Sequence, residues 1–526
     1  MDRLPQTILE KIIIFIADDA DPMSRNAYKR AVAPYATVSS KFRLAVERIT
    51  FSNLLLTIDN VPTASVILGQ FSRWLYVRTV LFNIALPRYE GEAATRLESP
   101  EEKTENSLTF TTNITTLFQL LSEYPVHGAS ACGSLASFSL HIHVFSVTDK
   151  SLKGYSDQIF EQGTLNTDVG VEIWRYHRSL LHLDDSIILP SLQHVPIDKI
   201  EFPTIFYRRH IDSNSLARMI SIMNLKRLKS VWWAFGDLEK RDLLLRRAQR
   251  QAFADAIDSL PNLDYFELIN EYFTPHNHDY QPPILYHPRK EVDPVSCAIR
   301  RLCQRTKKLI IFGVLGSTEL FWPKIRPNYA PEPYWESLEE LRLTFHPLTP
   351  DGKWLFKRDE DETPQEIRYI DLCPEPDEIR GEEDDSWNLW RYAPSQDRMN
   401  EFYRVLGRAL VNMPKLRYMI LQSINYLSSP PGEERTQHQF IFEVYEDRKA
   451  KALWYSKPEY EPSDLVKKIW IKSAYELALD LEIFVISIPT EEEDDGDYEN
   501  GDSSGDGHEE QTGDNDGNVI TIIEIS

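Results

Sequence analysis

An apolar-x-x-Leu phrase recurs along the middle of the chain, each copy running into a short β-rich stretch, and this recurrence constrains the fold more than any other feature. The copies are Leu189-Pro190-Ser191-Leu192, Leu225-Lys226-Arg227-Leu228, Leu260-Pro261-Asn262-Leu263, Leu338-Glu339-Glu340-Leu341 and Met413-Pro414-Lys415-Leu416. The stretches that follow include Val231-Trp232-Trp233, 265–269, 341–345 and 418–421, with Leu309-Ile310-Ile311-Phe312 as a degenerate further member. A unit of this kind supplies one strand and cannot bury its apolar face alone, so successive copies must stack.

The closing leucines at 192, 228, 263, 309, 341 and 416 are separated by 36, 35, 46, 32 and 75 residues. That is longer and less regular than the ~20–29 of a tidy leucine-rich repeat. Spacing this wide leaves room for a helix in each crossover, and amphipathic patterns stand at 213–223, 238–259, 294–305 and 396–411. The expected fold is therefore α/β, an irregular leucine-rich-repeat-like solenoid of parallel strands with helical crossovers over 53–490. Upstream, strands are expected at 54–58, 74–85 and 135–145, a loop at 90–106 and a helix at 107–124. In the 238–259 helix, Leu243, Leu244, Ala248, Ala252, Ala256 and Ile257 are expected inward. The basic cluster Lys240, Arg241, Arg246, Arg247 and Arg250 is expected to face water.

The first fifty residues carry a different pattern. Leu4-Pro5 opens a helix, with Pro5 suited to a first helical position where its missing N–H costs nothing. Ile8, Leu9, Ile12, Ile13 and Ile16 make an apolar face at helical spacing, and Tyr35, Val38, Phe42, Ala45, Val46 and Ile49 repeat it after a polar insert. A helical unit this small buries too little surface to stand alone, so it completes its core against a partner or the following domain. Little Gly or Pro lies between Phe42 and Ile58, which implies a rigid join to the first strand.

Leu4-Pro5-x-x-Ile8-Leu9-x-x-Ile12-Ile13 followed by Ala36-Thr37-Val38-Ser39-x-x-Phe42-Arg43 resembles an F-box, with Phe42 where the family usually has Trp. The body is similar to that of filamentous-fungal F-box proteins, through Trp232-Trp233-Ala234-Phe235-Gly236-Asp237-Leu238, Phe321-Trp322-Pro323 and Phe345-His346-Pro347-Leu348 with Gly352-Lys353-Trp354. The resemblance implies a non-catalytic substrate receptor of an SCF-type cullin ubiquitin ligase, active in the cytoplasm or nucleus. It would dock the Skp adaptor, and through it the cullin, by Leu4, Pro5, Ile8, Leu9, Ile12, Ile13, Val38, Ser39, Phe42 and Arg43, while the body holds an unknown protein cargo. The alternative is a non-ligase interaction scaffold in which residues 1–52 only cap the body.

Composition bounds the remaining readings. The 526 residues, 42% hydrophobic and 26% charged, suffice for one large or two ordinary globular domains. No run approaches the ~18 apolar residues of a membrane span, and no basic leader precedes an apolar segment, so an intracellular protein is expected. Of the 81 acids, 13 lie in 491–516, which has no Lys or Arg, so the rest of the chain sets 68 acids against 58 bases. A surface that mildly acidic disfavours a general reader of nucleic-acid phosphates. The acidic stretch 491–517 is expected to be disordered, and the β-rich 518–526 to return and pair with 481–488.

No sign of a cofactor or reaction centre emerges. Cys132, Cys297, Cys303 and Cys373 form no CxxC pair, which suggests neither zinc nor a disulfide framework. His141-x-His143 on a strand and His276-x-His278 in a loop lack a third ligand nearby and are read as packing or solvated imidazoles. Glu382-Glu383-Asp384-Asp385 is read as solvated charge. There is no phosphate loop, G-x-S-x-G elbow or H-E-x-x-H. Loops at 273–287, 321–335 and 387–392 are rich in Trp, Tyr and Pro, residue types that either pack or anchor interfaces.

Overall fold

All six closing leucines of the repeated phrase, Leu192, Leu228, Leu263, Leu309, Leu341 and Leu416, are buried, each just before or within the first residues of a strand. In the computed structural model the described residues run from 4 to 487, with breaks at 19–31, 126–136, 149–174, 203–208, 325–330, 359–364, 368–386, 424–436 and several shorter places. The acidic stretch 491–517, the returning strand at 518–526, Glu382 to Asp385, His276, Cys132 and Cys373 lie outside the described residues.

Twelve strands form one sheet and follow one another in chain order. They are β1 (Asn53–Thr57), β2 (Thr79–Leu86), β3 (Phe138–Ser146), β4 (Ile197–Phe202), β5 (Ser230–Asp237), β6 (Leu263–Tyr272), β7 (Thr306–Leu315), β8 (Glu340–His346), β9 (Tyr418–Ser423), β10 (Gln437–Val444), β11 (Lys449–Lys457) and β12 (Asp480–Ser487). β1 to β9 are all parallel. The wholly parallel sheet expected from sequence fails after β9, because β9–β10 and β10–β11 are antiparallel before β11–β12 returns to parallel. Only residues 445–448 join β10 to β11, and parallel strands need a crossover of a dozen or more residues, so a hairpin is forced there. Arg448 in that turn has φ 63°.

Nine longer helices accompany the sheet among the described residues: α1 (Gln6–Asp18), α2 (Ser40–Thr50), α3 (Val61–Leu68), α4 (Pro100–Ser122), α5 (Ser213–Ser221), α6 (Leu243–Ser259), α7 (Pro294–Cys303), α8 (Gln396–Leu410) and α9 (Asp464–Glu476). α5, α6 and α7 pack in succession, as do α8 and α9, and the short 3-10 turn Thr318–Leu320 bridges α7 to α8. Strands β2, β3, β8, β9 and β11 alternate buried with part-exposed positions, so one face of the sheet lies under the helices and carries the core. That core is continuous from Leu56 on β1 to Trp470 on α9.

Three local expectations need correction. The strand expected at 74–85 starts at Thr79, because Trp74 ends the helical turn Phe71–Trp74 and is buried. The loop expected at 90–106 ends at Ser99, since Ser99 and Glu102 form a reciprocal capping box around Pro100 and start α4 seven residues early. The largest revision concerns α6. Its buried side is Arg246, Arg250, Phe253, Ala254, Ala256 and Ile257, while Leu244 is 75% exposed and Ala248 is also exposed. The basic cluster is therefore not a solvated face at Arg246 and Arg250, Arg247 is half-buried, and Lys240 and Arg241 lie outside the described residues.

Arg250 turns inward because it has a partner there. Its Nη2 donates to Asp293 Oδ1 at 2.8 Å, both side chains being almost fully buried. Asp293 Oδ2 also accepts from Ser296 N at 2.8 Å and caps α7, while its main-chain N–H donates to Glu319 Oε2 at 2.9 Å. Burial, opposed by that hydrogen bond, holds the Glu319 carboxyl above its ordinary range. A charge removed from water needs such a partner, so the pair fixes the rotation of α6 more firmly than the apolar pattern does.

Between α8, α9 and the β10–β11 hairpin the core is aromatic. Tyr403, Phe440, Trp454, Tyr460 and Trp470 are buried, with the centroids of neighbouring rings 4.7–6.0 Å apart. His438 lies among them, and a Cβ added to Gly407 would come 2.7 Å from the Trp470 ring, so only glycine lets α8 approach α9 this closely.

Candidate protein-binding surfaces

Two surfaces could recognise another protein: the N-terminal helices and the face of the sheet opposite the helices. In the first, Leu9 and Ile13 of α1 meet Phe42, Ala45, Val46 and Ile49 of α2 in a small core separate from that of the sheet, with Val32 also buried. Leu4 packs partly against it. Ser39 caps α2, accepting from Phe42 N at 3.3 Å, which starts the helix so that Phe42 points inward.

The ten residues singled out from sequence thus fall into two sets. Leu9, Ile13 and Phe42 are consumed in the core, Ser39 caps a helix and Leu4 is half-buried. Pro5, Ile8, Ile12, Val38 and Arg43 are exposed. Ile8, Ile12 and Phe15 are 41%, 38% and 75% exposed and lie at i, i+4 and i+7, a second apolar stripe beside the buried one. With Tyr35, Val38, Leu44, Leu55, Ile58, Val66 and Ile67, the segment 8–67 holds about half of the large apolar side chains left exposed among the described residues. Single exposed apolar groups are ordinary, but a concentration of them marks an interface.

The helices are tied to the sheet without a linker. α2 ends at Thr50, β1 begins at Asn53, and Ser52 O accepts from Arg78 N and Thr79 N at 2.8 and 2.9 Å. Arg73 Nη2 donates to Glu47 Oε1 at 3.0 Å and its guanidinium stands 5.2 Å from the Phe51 ring.

The second surface is a set of rows running across the strands. One row is Leu81, His141, Glu201, Trp232, Glu267, Ile310, Arg342, Ile420, Ile441, Leu453 and Phe484, each the register partner of the next. Its first half is polar and internally paired. His141 Nδ1 lies 2.6 Å from Glu201 Oε2, and Lys199 also pairs with Glu201. Burial raises the Glu201 carboxyl, yet the hydrogen bonds from His141 and Lys199 outweigh it and hold the group below its ordinary range. Further along, Glu340 takes Lys308 at 2.8 Å and Arg342 at 2.5 Å. The second half, from Ile420 to Phe484, is apolar.

His141 Nε2 is also 3.1 Å from Ser139 Oγ, so Ser139, His141 and Glu201 stand in the order of a nucleophile relay. Ser139 N donates to Arg78 O at 2.9 Å as part of the strand pairing, and the three side chains form a polar ladder on the open face. In the other histidine pair His278 is buried, its Nδ1 accepts from Trp390 N and Arg391 N at 2.7 Å, and its ring packs on Trp354 at 5.0 Å. Two of the three aromatic loops are thereby joined to each other. The third contributes Trp335 to the core, with its main-chain N–H donating to Asn412 O at 2.9 Å.

Among the described residues no group of three His, Cys, Asp or Glu side chains could hold a metal. Burial pushes the Cys303 thiol up to about 12 and raises that of Cys297, which keeps both protonated. No described helix is long and apolar enough to cross a membrane. The sheet rows escaped the sequence reading, although polar partners at i and i+2, as in Lys199/Glu201, Tyr265/Glu267 and Glu340/Arg342, are their signature. No family model matches the chain, and no curated protein or solved structure is significantly similar to it.

Proposed function

We propose that the protein is the substrate-recognition subunit of an SCF-type cullin ubiquitin ligase. In this reading the N-terminal helices dock the Skp adaptor, and a leucine-rich-repeat-like body presents protein cargo on its open sheet face. The observation that carries it is the second apolar stripe, Ile8, Ile12 and Phe15, left exposed on a helix whose first stripe is already buried. A helix that only capped the sheet would need one apolar stripe. The direct join at 50–53 supports it further, because a receptor must hold cargo at a fixed distance from the transfer machinery.

The second reading, a scaffold outside any ligase with the helices as a structural cap, draws on the Glu47–Arg73 and Phe51–Arg73 ties. Affinity purification of the tagged full chain at near-native expression separates the two. The ligase reading expects the adaptor and cullin among the recovered proteins. Ile8→Ala with Ile12→Ala should then lower that recovery while the melting curve stays put, since each exposed side chain adds little to folding but roughly 1.5–3 kcal/mol when fully buried against a partner. A wild type that recovers neither adaptor nor cullin overturns the proposal. A double variant that unfolds the body favours the cap.

A further inference from the structure

The sheet ends at β12, and this end is unlike the rest. β12 pairs only with β11 among the described residues. β11 buries Ala450, Ala452, Trp454 and Ser456 at alternate positions, whereas none of the β12 side chains from Asp480 to Ile486 is buried, although Leu481, Ile483, Phe484, Val485 and Ile486 are all apolar. Phe484 and Ile486 are 40% and 37% exposed on the open face. The last helix of the layer, α9, leaves Leu465, Ile471 and Tyr475 exposed, the latter two one turn apart. An eight-residue strand edge with apolar side chains on both faces is a template for another strand.

We infer that this end is a homodimer interface, in which β12 pairs antiparallel with β12 of a second copy about a two-fold axis, in place of the pairing with 518–526 expected from sequence. Three features select a second copy as the occupant. Among the described residues the end offers an unpaired strand and a helix with exposed apolar side chains together, and a two-fold axis brings strand against strand. The charges permit it: centring the pairing on Phe484 sets Glu482 opposite Ile486 and Ile483 opposite Val485, so no acid faces an acid, whereas centring on Glu482 would oppose like charges. The faces also agree, because residues opposite one another in an antiparallel pair share a face, and this register joins open face to open face.

The size of the contact sets its strength. A strand of this length spans about 26 Å, and a sheet-plus-helix end about 20 Å deep gives on the order of 500 Å² per copy, near the lower limit of specific interfaces. An interface of that size belongs with weak, transient contacts, so the dimer should dissociate on dilution. This inference is independent of the ligase reading.

Sedimentation velocity of the full chain over a wide concentration range tests it. A monomer–dimer equilibrium is expected, and Phe484→Glu should shift it to monomer with an unchanged circular-dichroism melt; Tyr475→Glu serves as a second variant on the helix. Opposed positions in such a pair suit a disulfide, so Phe484→Cys should cross-link two copies on mild oxidation, while Leu55→Cys on β1 should not. A monomer at every concentration overturns the inference, and if hydrogen exchange then finds the β12 amides protected, the chain's own 518–526 covers the edge. A dimer indifferent to both glutamates, without a cross-link at 484, places the interface elsewhere and equally overturns it.

Discussion

His438 should make the aromatic end of the protein acid-sensitive. The imidazole is buried between α8 and the β10–β11 hairpin, 2.8 Å from Tyr403 Oη through Nε2 and 3.1 Å from Ser456 Oγ through Nδ1. Ser456 Oγ donates its proton to Pro458 O at 2.6 Å, so it accepts from Nδ1–H, and Nε2 is left to accept from the Tyr403 hydroxyl. Burial lowers the imidazole pKa from 6.5 to about 3. The folded protein thus binds fewer protons than the unfolded chain between those values, and stability from this group is full above pH 6.5 and lost as pH falls toward 3. The loss is about 2 kcal/mol at pH 5 and approaches ~5 kcal/mol at pH 3, at 1.36 kcal/mol per unit. Urea unfolding followed by fluorescence of Trp454 and Trp470, at pH 7.5 and pH 5, should show it. His438→Gln retains a donor and an acceptor but does not titrate, so the variant should lose about 2 kcal/mol less than wild type between the two pH values. Equal losses in both proteins would refute a buried neutral His438, and His346, also lowered to about 3 by burial, cancels from the comparison.

Gly407→Ala should destabilise the α8–α9 contact by ~1–3 kcal/mol through overpacking, reduced by up to ~1 kcal/mol of helix propensity, and Trp470→Phe in the same chain should restore part of the loss in a thermal melt. Asp293→Asn leaves Arg250 buried beside a neutral group and should cost ~3–5 kcal/mol by denaturant titration, whereas Arg250→Met with Asp293→Leu should cost clearly less; a double variant worse than the single one would contradict the buried-pair account.

The repeated Leu phrase located five strands, β5 to β9, because burial of its closing leucine and the strand that follows are one event, and the crossover helices at 213–223, 294–305 and 396–411 were legible from their apolar stripes. α6 was misrotated for a physical reason: its inward side includes Arg246 and Arg250, and a rule that turns charges outward cannot see that Asp293, over forty residues later, supplies the counter-charge. The start of α4 was available in Ser99-Pro100-Glu101-Glu102, but the acids around it read as loop. At the N-terminus, helical spacing gave both apolar stripes of α1 at once; only packing separates Leu9 and Ile13, which hold the unit together, from Ile8 and Ile12, which stay exposed. Alternating strand residues such as Lys199 and Glu201 carry no hint of which strand lies beside them, so the rows across the sheet could not be assembled from one chain segment at a time.

Because the strands stand in the sheet in the order in which they occur in the chain, no strand has to be inserted between two that are already paired. In sheets whose order departs from the sequence, a central strand waits for one made much later. Here each strand can dock on the edge left by its predecessor as soon as its crossover is complete, and loop closure stays confined to neighbouring segments. Synthesis from the N-terminus therefore builds the sheet in one direction, β1 first and the β9–β12 end with its aromatic core last. At every intermediate length the growing edge is a bare strand, and among the described residues the last such edge is that of β12.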